Sequence, residues 1–395
     1  MNTRTYTLVG AAIDTWIINI KGELSADRAE ELDALKWASQ EADEDVLTQW
    51  MFAGEPLLIK AHGSGRQWRW ILHCPSLHLD IGTGKLNQII GKARLSSAYL
   101  WEMGPEDALS ALYGFLVEFY RLGFELQVSE AHLCADIAGW EPTLEDAPAF
   151  ITRGHRRKTH TEDHTEAAES SDNNAPCDTA DDTHPLEVNF DGRRCTGYEF
   201  SKGAVHSCCI YDKTKEITVS RKAWMQEVWR RNGWDGESRV TRVEFRYKRE
   251  CLNELGVEEP YQMLDQLAGL WAYSTMQWLR HTVPTEDKNR GRWQLSPFWQ
   301  VIQSADFSGE PVPLIREKQR KQDLELICQM LSGCSTTAAA YLAGQLPEHD
   351  DGTHFLIWFM DWQEAYLAER RKTFEQLYTH KRLRLGALPP DITAA

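Results

Sequence analysis

No run in this 395-residue chain approaches the eighteen or so uncharged residues that a membrane span requires, so no membrane segment is predicted. The opening, MNTRTYTLVGAAIDTW, lacks a long apolar core and a small-residue cleavage site. No secretory leader is read there, and a cytoplasmic location is expected. The nine cysteines include no CxxC pair. Their irregular spacing argues against zinc-ligand sets and a disulfide framework, leaving buried thiols in a reducing compartment. No repeat of fixed period is found. Lysine and arginine are missing from Thr159 to Asn189, where nine residues are acidic.

What is present is a globular composition, with 42% apolar and 26% charged residues. Sixteen tryptophans point to packing of large amphipathic surfaces. The net charge of −16 would argue against a nucleic-acid partner if it were spread evenly, but it is not. Asp191 to Glu250 holds fourteen Lys/Arg against nine Asp/Glu. Phosphate binding follows the local field, so total acidity does not veto a DNA-binding face.

Residues 154–186 are polar, aromatic-poor and aperiodic, the signature of a disordered acidic insertion. A metal-binding reading of His155, His160, His164 and His184 stands beside that of a solvated loop. The insertion divides an N-terminal α+β half (1–153) from a second α+β half (187–283), followed by a mostly helical region (284–395). Strands are predicted at Thr15–Lys21, Leu57–Ala61, Trp68–Cys74, Leu95–Glu102, Glu187–Phe190, Thr196–Ser201, Val205–Tyr211 and Arg239–Lys248. Helices are predicted at Ala26–Gln40, Pro105–Leu122, Thr214–Arg230, Pro260–Arg280, Ile315–Leu331, Ser335–Ala343 and Gly352 to about Leu383. The fold class is α+β, with curved antiparallel sheets backed by helices and a helical C-terminal region.

Three strand candidates carry polar faces. In SEAHLCADIAGW, alternation puts Glu130, His132, Cys134 and Asp136 on one side. RVTRVEFRYKRE does the same with Arg242, Glu244, Arg246 and Lys248. In VHSCCIYDK, Tyr211 shares a face with Ser207, Cys209 and Lys213. Each strand alone reads equally as a solvated edge. If the three pair, His132, Asp136, Glu244 and Tyr211 meet on one surface. Gathered carboxylates repel unless a cation neutralises them, and a divalent ion held by Asp136, Glu244 and His132 answers that need. Glu216 either reaches the same place or pairs with a nearby lysine.

Tyr211 then acquires a chemistry. About one free tyrosine in a thousand is phenolate at neutral pH. Lys213 and Arg242 would favour the anion, and attack on a phosphodiester would give a covalent aryl phosphate that stays transferable. Tyr198, among apolar and acidic neighbours, is the rival nucleophile.

Taken together, SEAHLCADIAGW, TGYEFSKGAVHSCCIYDKTKEI and GWDGESRVTRVEFRYKRE resemble rolling-circle plasmid replication initiators, the replication initiation factor or Rep_trans family. The resemblance spans roughly Leu95 to Arg280. It implies nicking at an origin, with Tyr211 joined to the 5′ phosphate and a 3′ hydroxyl freed as primer. It also implies Mg²⁺ or Mn²⁺, origin DNA as a single strand or hairpin, a homodimer and a host helicase. The family's metal-site acids map onto Asp136 and Glu244. Glu130 and His132 stand where family members commonly have Arg and Asp. Phosphate anchoring is expected of Arg193, Arg194, Lys202, Arg221, Lys222 and Arg246, with Arg230 and Arg231 further candidates. Lys318, Arg320, Lys321, Arg370, Arg371 and Lys372 mark basic faces for origin or partner binding. Two other readings compete: a non-catalytic origin- or operator-binding protein, and a metallonuclease that uses water.

Overall fold

The computed structural model describes residues 6–83, 88–120, 123–153, 186–342, 344–347, 350–370 and 372–378, without the side chains of 317–327. The acidic insertion, apart from Leu186, lies outside the described residues. So do Arg371, the side chains of Lys318, Arg320 and Lys321, and the end of the last expected helix.

Thirteen strands are described: β1 (Thr7–Gly22), β2 (Val46–Phe52), β3 (Glu55–Ile59), β4 (Trp70–His73), β5 (Leu77–Ile81), β6 (Gln88–Leu95), β7 (Phe124–Ala138), β8 (Phe150–Thr152), β9 (Glu187–Asp191), β10 (Arg194–Phe200), β11 (His206–Asp212), β12 (Val240–Lys248) and β13 (Leu279–His281). Eleven form one antiparallel sheet in the order β2-β3-β4-β5-β6-β1-β7-β12-β11-β10-β9. β8 and β13 pair separately. The halves on either side of the insertion do not build separate sheets. β12 pairs with β7 from Val240↔Ala138 to Lys248↔Glu130, so one surface carries residues from both.

The helices follow local signals. Ser25 caps α1 (Ala26–Ala42), accepting from the Arg28 amide at 3.3 Å. α3 (Pro105–Tyr120) starts on proline and buries Leu109, Leu112, Leu116 and Phe119 at helical spacing. Each such side chain contributes about 1.5–3 kcal/mol by leaving water. The segment expected as a strand at Leu95–Glu102 is instead mostly α2 (Ser97–Met103), because Ser96 caps it and accepts from Tyr99 N. The helix expected at Thr214–Arg230 breaks into α4 (Lys213–Val219) and α5 (Trp224–Arg231), with Arg221 between them in the left-handed region at φ 57°. Pro260–Arg280 resolves into α7 (Pro260–Asp265), α8 (Leu267–Ala272), a π-helical turn at Tyr273–Trp278, and β13, after the short α6 (Arg249–Glu254).

One face of the sheet packs on α3, α6–α8 and α9 (Pro297–Gln303), around fully buried Trp16, Trp70 and Trp299. Among the described residues, helices cover one end of the other face. There Val9, Ala138 and Val240 meet Ile217, Met225, Trp229 and Trp234 in a small second core. The compact unit runs to Leu314, so the C-terminal unit begins at Ile315 and not at 284. Residues 297–303 were assigned to the helical region by composition. They stay with the sheet because α9 buries Phe298, Trp299 and Ile302 in its core. In the second unit α10 (Glu317–Tyr341) joins two expected helices, and α11 (Thr353–Glu369) follows.

His281, on β13, is buried with its Nδ1 2.8 Å from Ser296 Oγ. Burial lowers its pKa to about 4, against a weaker upward pull from Asp146. The unfolded chain therefore takes a proton first as pH falls. This group's contribution is intact above about pH 6.5 and is lost towards pH 4. Urea titrations should show about 2 kcal/mol less stability at pH 5 than at pH 7 from this residue, a pH dependence that His281→Gln removes.

Candidate functional site

Tyr211, Arg242, Asp136 and Gly10 stand in one register row across β11, β12, β7 and β1. The next rows along the same face are Cys209, Glu244, Cys134 and Ala12, then Ser207, Arg246, His132 and Thr15. The pairing that would unite the polar faces is therefore present.

The first row holds a buried ion cluster. Arg242 is fully buried and grips Asp136 with two parallel bonds, Nε to Oδ1 at 2.6 Å and Nη2 to Oδ2 at 2.8 Å. Its Nη1 reaches Asp14 Oδ1 at 2.6 Å. Trp229 of α5 donates to Asp136 Oδ2 at 2.8 Å, while Trp101 and Ser97 of α2 donate to Asp14. Burial pushes the Asp14 carboxyl upward, but Arg242, Lys213 and the Ser97 hydrogen bond together outweigh it and the pKa ends below the ordinary value. Asp14, Trp101 and Trp229 are parts of the cluster that the sequence reading missed. A lone acid inside the apolar stretch AAIDTW was the available signal.

Glu244 belongs to a second cluster. Its Oε1 accepts from Arg246 Nε at 2.8 Å and lies 3.4 Å from His132 Nδ1. Burial works against its charge, but His132, Arg246 and Arg242 hold the carboxyl below the usual carboxylate range. Desolvation likewise opposes charge on His132, but Glu130, 2.7 Å from Nε2, and Glu244 raise its pKa.

The phenol of Tyr211 sits at the edge of both clusters, partly exposed, and donates to Glu244 Oε2 at 3.0 Å. Asp212 caps α4, accepting from Lys215 N at 3.0 Å, so Lys213 opens a helix and does not continue the strand. Its Nζ still comes to 3.5 Å from the phenol oxygen, with Glu216 at 2.6 Å as counter-ion. Glu216 is thus the lysine's partner. Burial, followed by the charge of Glu244, raises the Tyr211 pKa well above its ordinary value, with Arg242 pulling the other way. Opposite Tyr211, β10 presents Gly197. A Cβ there would stand 2.1 Å from the Ile210 carbonyl oxygen, so only glycine fits and the space beside the phenol stays bare.

As a three-ligand metal set, Asp136, Glu244 and His132 do not fit this arrangement. Both Asp136 oxygens take guanidinium protons, and among the described residues no three His, Cys, Asp or Glu side chains are grouped to hold an ion. His132 and Glu244 do meet; Asp136 serves Arg242. Arg242 in turn spends three nitrogens on carboxylates and has none facing a substrate.

Tyr198 is fully buried against Phe150 and Phe200 and donates to the Thr143 carbonyl. Burial raises its pKa, and its ring is closed off from solvent. Of the expected phosphate anchors, Arg194 pairs with Asp212 and Glu141, Lys202 with Glu187 and Glu199, and Arg246 with Glu244. Arg193 and Arg221 are exposed, Lys222 is half-buried, and these three have no side-chain partner among the described residues. Arg230 and Arg231 both face Glu227. Among the described residues no helix is long and apolar enough to cross a membrane.

No protein-family profile and no curated protein matches the chain. A solved structure titled as a rolling circle replication initiator protein from Geobacillus stearothermophilus is similar, with a TM-score of 0.40 and 10% identity over 78% of this chain and 100% of that one. A score at that level carries no argument about function, which rests on the site itself.

Replacing Asp136 with alanine leaves two nitrogens of a buried guanidinium without an acceptor, with Asp14 holding only the third. The expected loss is about 3–5 kcal/mol of stability by chemical denaturation. His132→Ala removes a largely buried imidazole but leaves Glu244 its Arg246 partner, and is expected to lose less, about 1–2 kcal/mol. Equal losses for the two would contradict the division into two clusters.

Proposed function

We propose that this chain is a DNA nicking and joining enzyme of the replication-initiator kind, with Tyr211 as nucleophile. One observation carries the reading. A partly exposed phenol points its proton at an ionised carboxylate, with an ammonium 3.5 Å from its oxygen, on an otherwise polar sheet face. A tyrosine serving only as packing has no need of that company.

In the proposed reaction the Tyr211 oxygen bonds to phosphorus and the P–O3′ bond breaks. The phenolic proton passes to Glu244, and the departing 3′ oxygen takes up a proton from solvent water to become the primer hydroxyl. Lys213 offsets the negative charge on the phenol oxygen and on the phosphoryl group as the new bond forms. Arg246 faces the same carboxylate from the next row and orients it. Joining is the reverse, with the 3′ hydroxyl attacking the aryl phosphate. Mg²⁺ or Mn²⁺ belongs to the proposal through His132 and Glu244 alone, and no step above depends on it. Origin DNA, a second copy of the chain and a host helicase complete the reading as partners.

Single-stranded or hairpin origin DNA incubated with the protein and Mg²⁺ should give a species that survives denaturant and migrates as protein plus DNA. Tyr211→Phe should abolish that species while DNA affinity, read by fluorescence anisotropy, changes less than about twofold. Continued cutting by the phenylalanine variant would instead support a nuclease that uses water. An adduct in neither protein, with binding intact, would leave the reading of a pure DNA binder.

A further inference from the structure

The open face continues beyond the site. One more register step from Arg246 and His132 lies a row of five residues: Lys248 on β12, Glu130 on β7, Ile17 on β1, Arg94 on β6 and His78 on β5. The row after it holds Gln127, Asn19, Lys92 and Asp80. These residues share the side of the sheet that presents Tyr211, because facing partners and alternate positions stay on one face. Arg94 is exposed, and Lys92 and His78 are half-buried.

The carboxylates of this surface are answered locally. Glu130 pairs with His132, Asp80 with His78 and Glu244 with Arg246, and Glu125 stands opposite Lys21. Lys92 and Arg94 make no ion pair or hydrogen bond among the described residues, although the charge of Lys92 also acts on Glu130 at longer range. An unpaired cation adds to the field outside the protein, whereas a paired one largely cancels. Neither residue was among the anchors expected from the sequence, which all lie after the insertion.

We infer that the DNA backbone reaching Tyr211 runs diagonally down this face, over Arg246 and Lys248, onto Lys92 and Arg94 of the N-terminal half. From Tyr211 to Arg94 the path crosses four strand spacings and three two-residue steps. For a flat sheet that is on the order of 25–30 Å, or about eight base steps of B-form DNA. The occupant is DNA because the track is continuous with the nucleophile and its unpaired groups are cations. This inference rests on the nicking reading and adds a path to it.

The test uses the full chain with Lys92→Glu and Arg94→Glu combined, beside Lys288→Glu and Arg292→Glu combined as a charge-matched control at two exposed positions outside the sheet. Two substrates are needed, an origin hairpin long enough to cover the track and a short oligonucleotide of four or five nucleotides around the nick. The double variant should bind the hairpin at least tenfold more weakly. The slope of log affinity against log salt should flatten by about one to two. Adduct formation on the short oligonucleotide should stay within twofold of the unaltered chain. Unchanged hairpin affinity and salt slope overturn the track while leaving the nickase standing. An adduct from the short oligonucleotide in neither protein defeats the nickase itself, and the hairpin titration then judges the surface separately.

Discussion

A guanidinium shut away from water between two carboxylates organises this half of the molecule. Removing three charges from solvent is costly, and only full pairing makes that tolerable. Arg242 meets the condition with Asp14 and Asp136, which lie on two other strands. The cluster thereby locks β1, β7 and β12 in register. Through Trp101 and Trp229 it also fixes where α2 and α5 stand on the face. Those helices roof one end, and Tyr211 is left at the margin of the roof.

Placement beside this cluster gives the phenol its electrostatic setting. The acids nearest Arg242 are neutralised by it and are spent on structure. Glu244, one row further on, keeps Oε2 turned towards Tyr211 while Arg246 and His132 hold Oε1. The carboxylate spent on Arg242 and the one that accepts from the phenol thus lie on neighbouring strands, separated by a single register step. Residue type alone does not tell them apart. Asp136 and Glu244 look equivalent in the sequence, and only the partner across the strand assigns their roles.

The same reasoning shows how much could be read in advance. Period-two alternation in SEAHLCADIAGW and RVTRVEFRYKRE fixed which side chains share a face, and pairing of β7, β12 and β11 followed. The nearness of Tyr211, Glu244 and His132 was therefore legible. What escaped were contacts made between distant segments. Asp14 is 228 residues from Arg242, and no local pattern announces that bond. Ser96 turned an apolar run from strand to helix, and the cap outweighed periodicity over so short a stretch. A single sheet, where separate halves were expected, arises because β12 from after the insertion pairs along its whole length with β7 from before it. The basic residues counted after the insertion proved largely committed to acids beside them, which a count of charges cannot reveal.

A raised phenol pKa might be thought to disqualify a nucleophile, but it locates the source of activation. In the free protein Tyr211 keeps its proton because burial and the charge of Glu244 both oppose the phenolate. An incoming phosphodiester adds further negative charge, which by itself would raise that pKa again. Cations must therefore be close enough to reverse the sign of the field: Lys213 lies 3.5 Å from the phenol oxygen, and Arg242, across the strand, already pulls the phenol pKa downward. Lys213 is balanced by Glu216, itself one-third exposed. Movement of that one carboxylate into solvent would leave a full positive charge beside the phenol oxygen. Under the proposed function, burial and Glu244 keep the resting phenol protonated, and Lys213 is the cation placed to offset the charge that arrives with the phosphodiester.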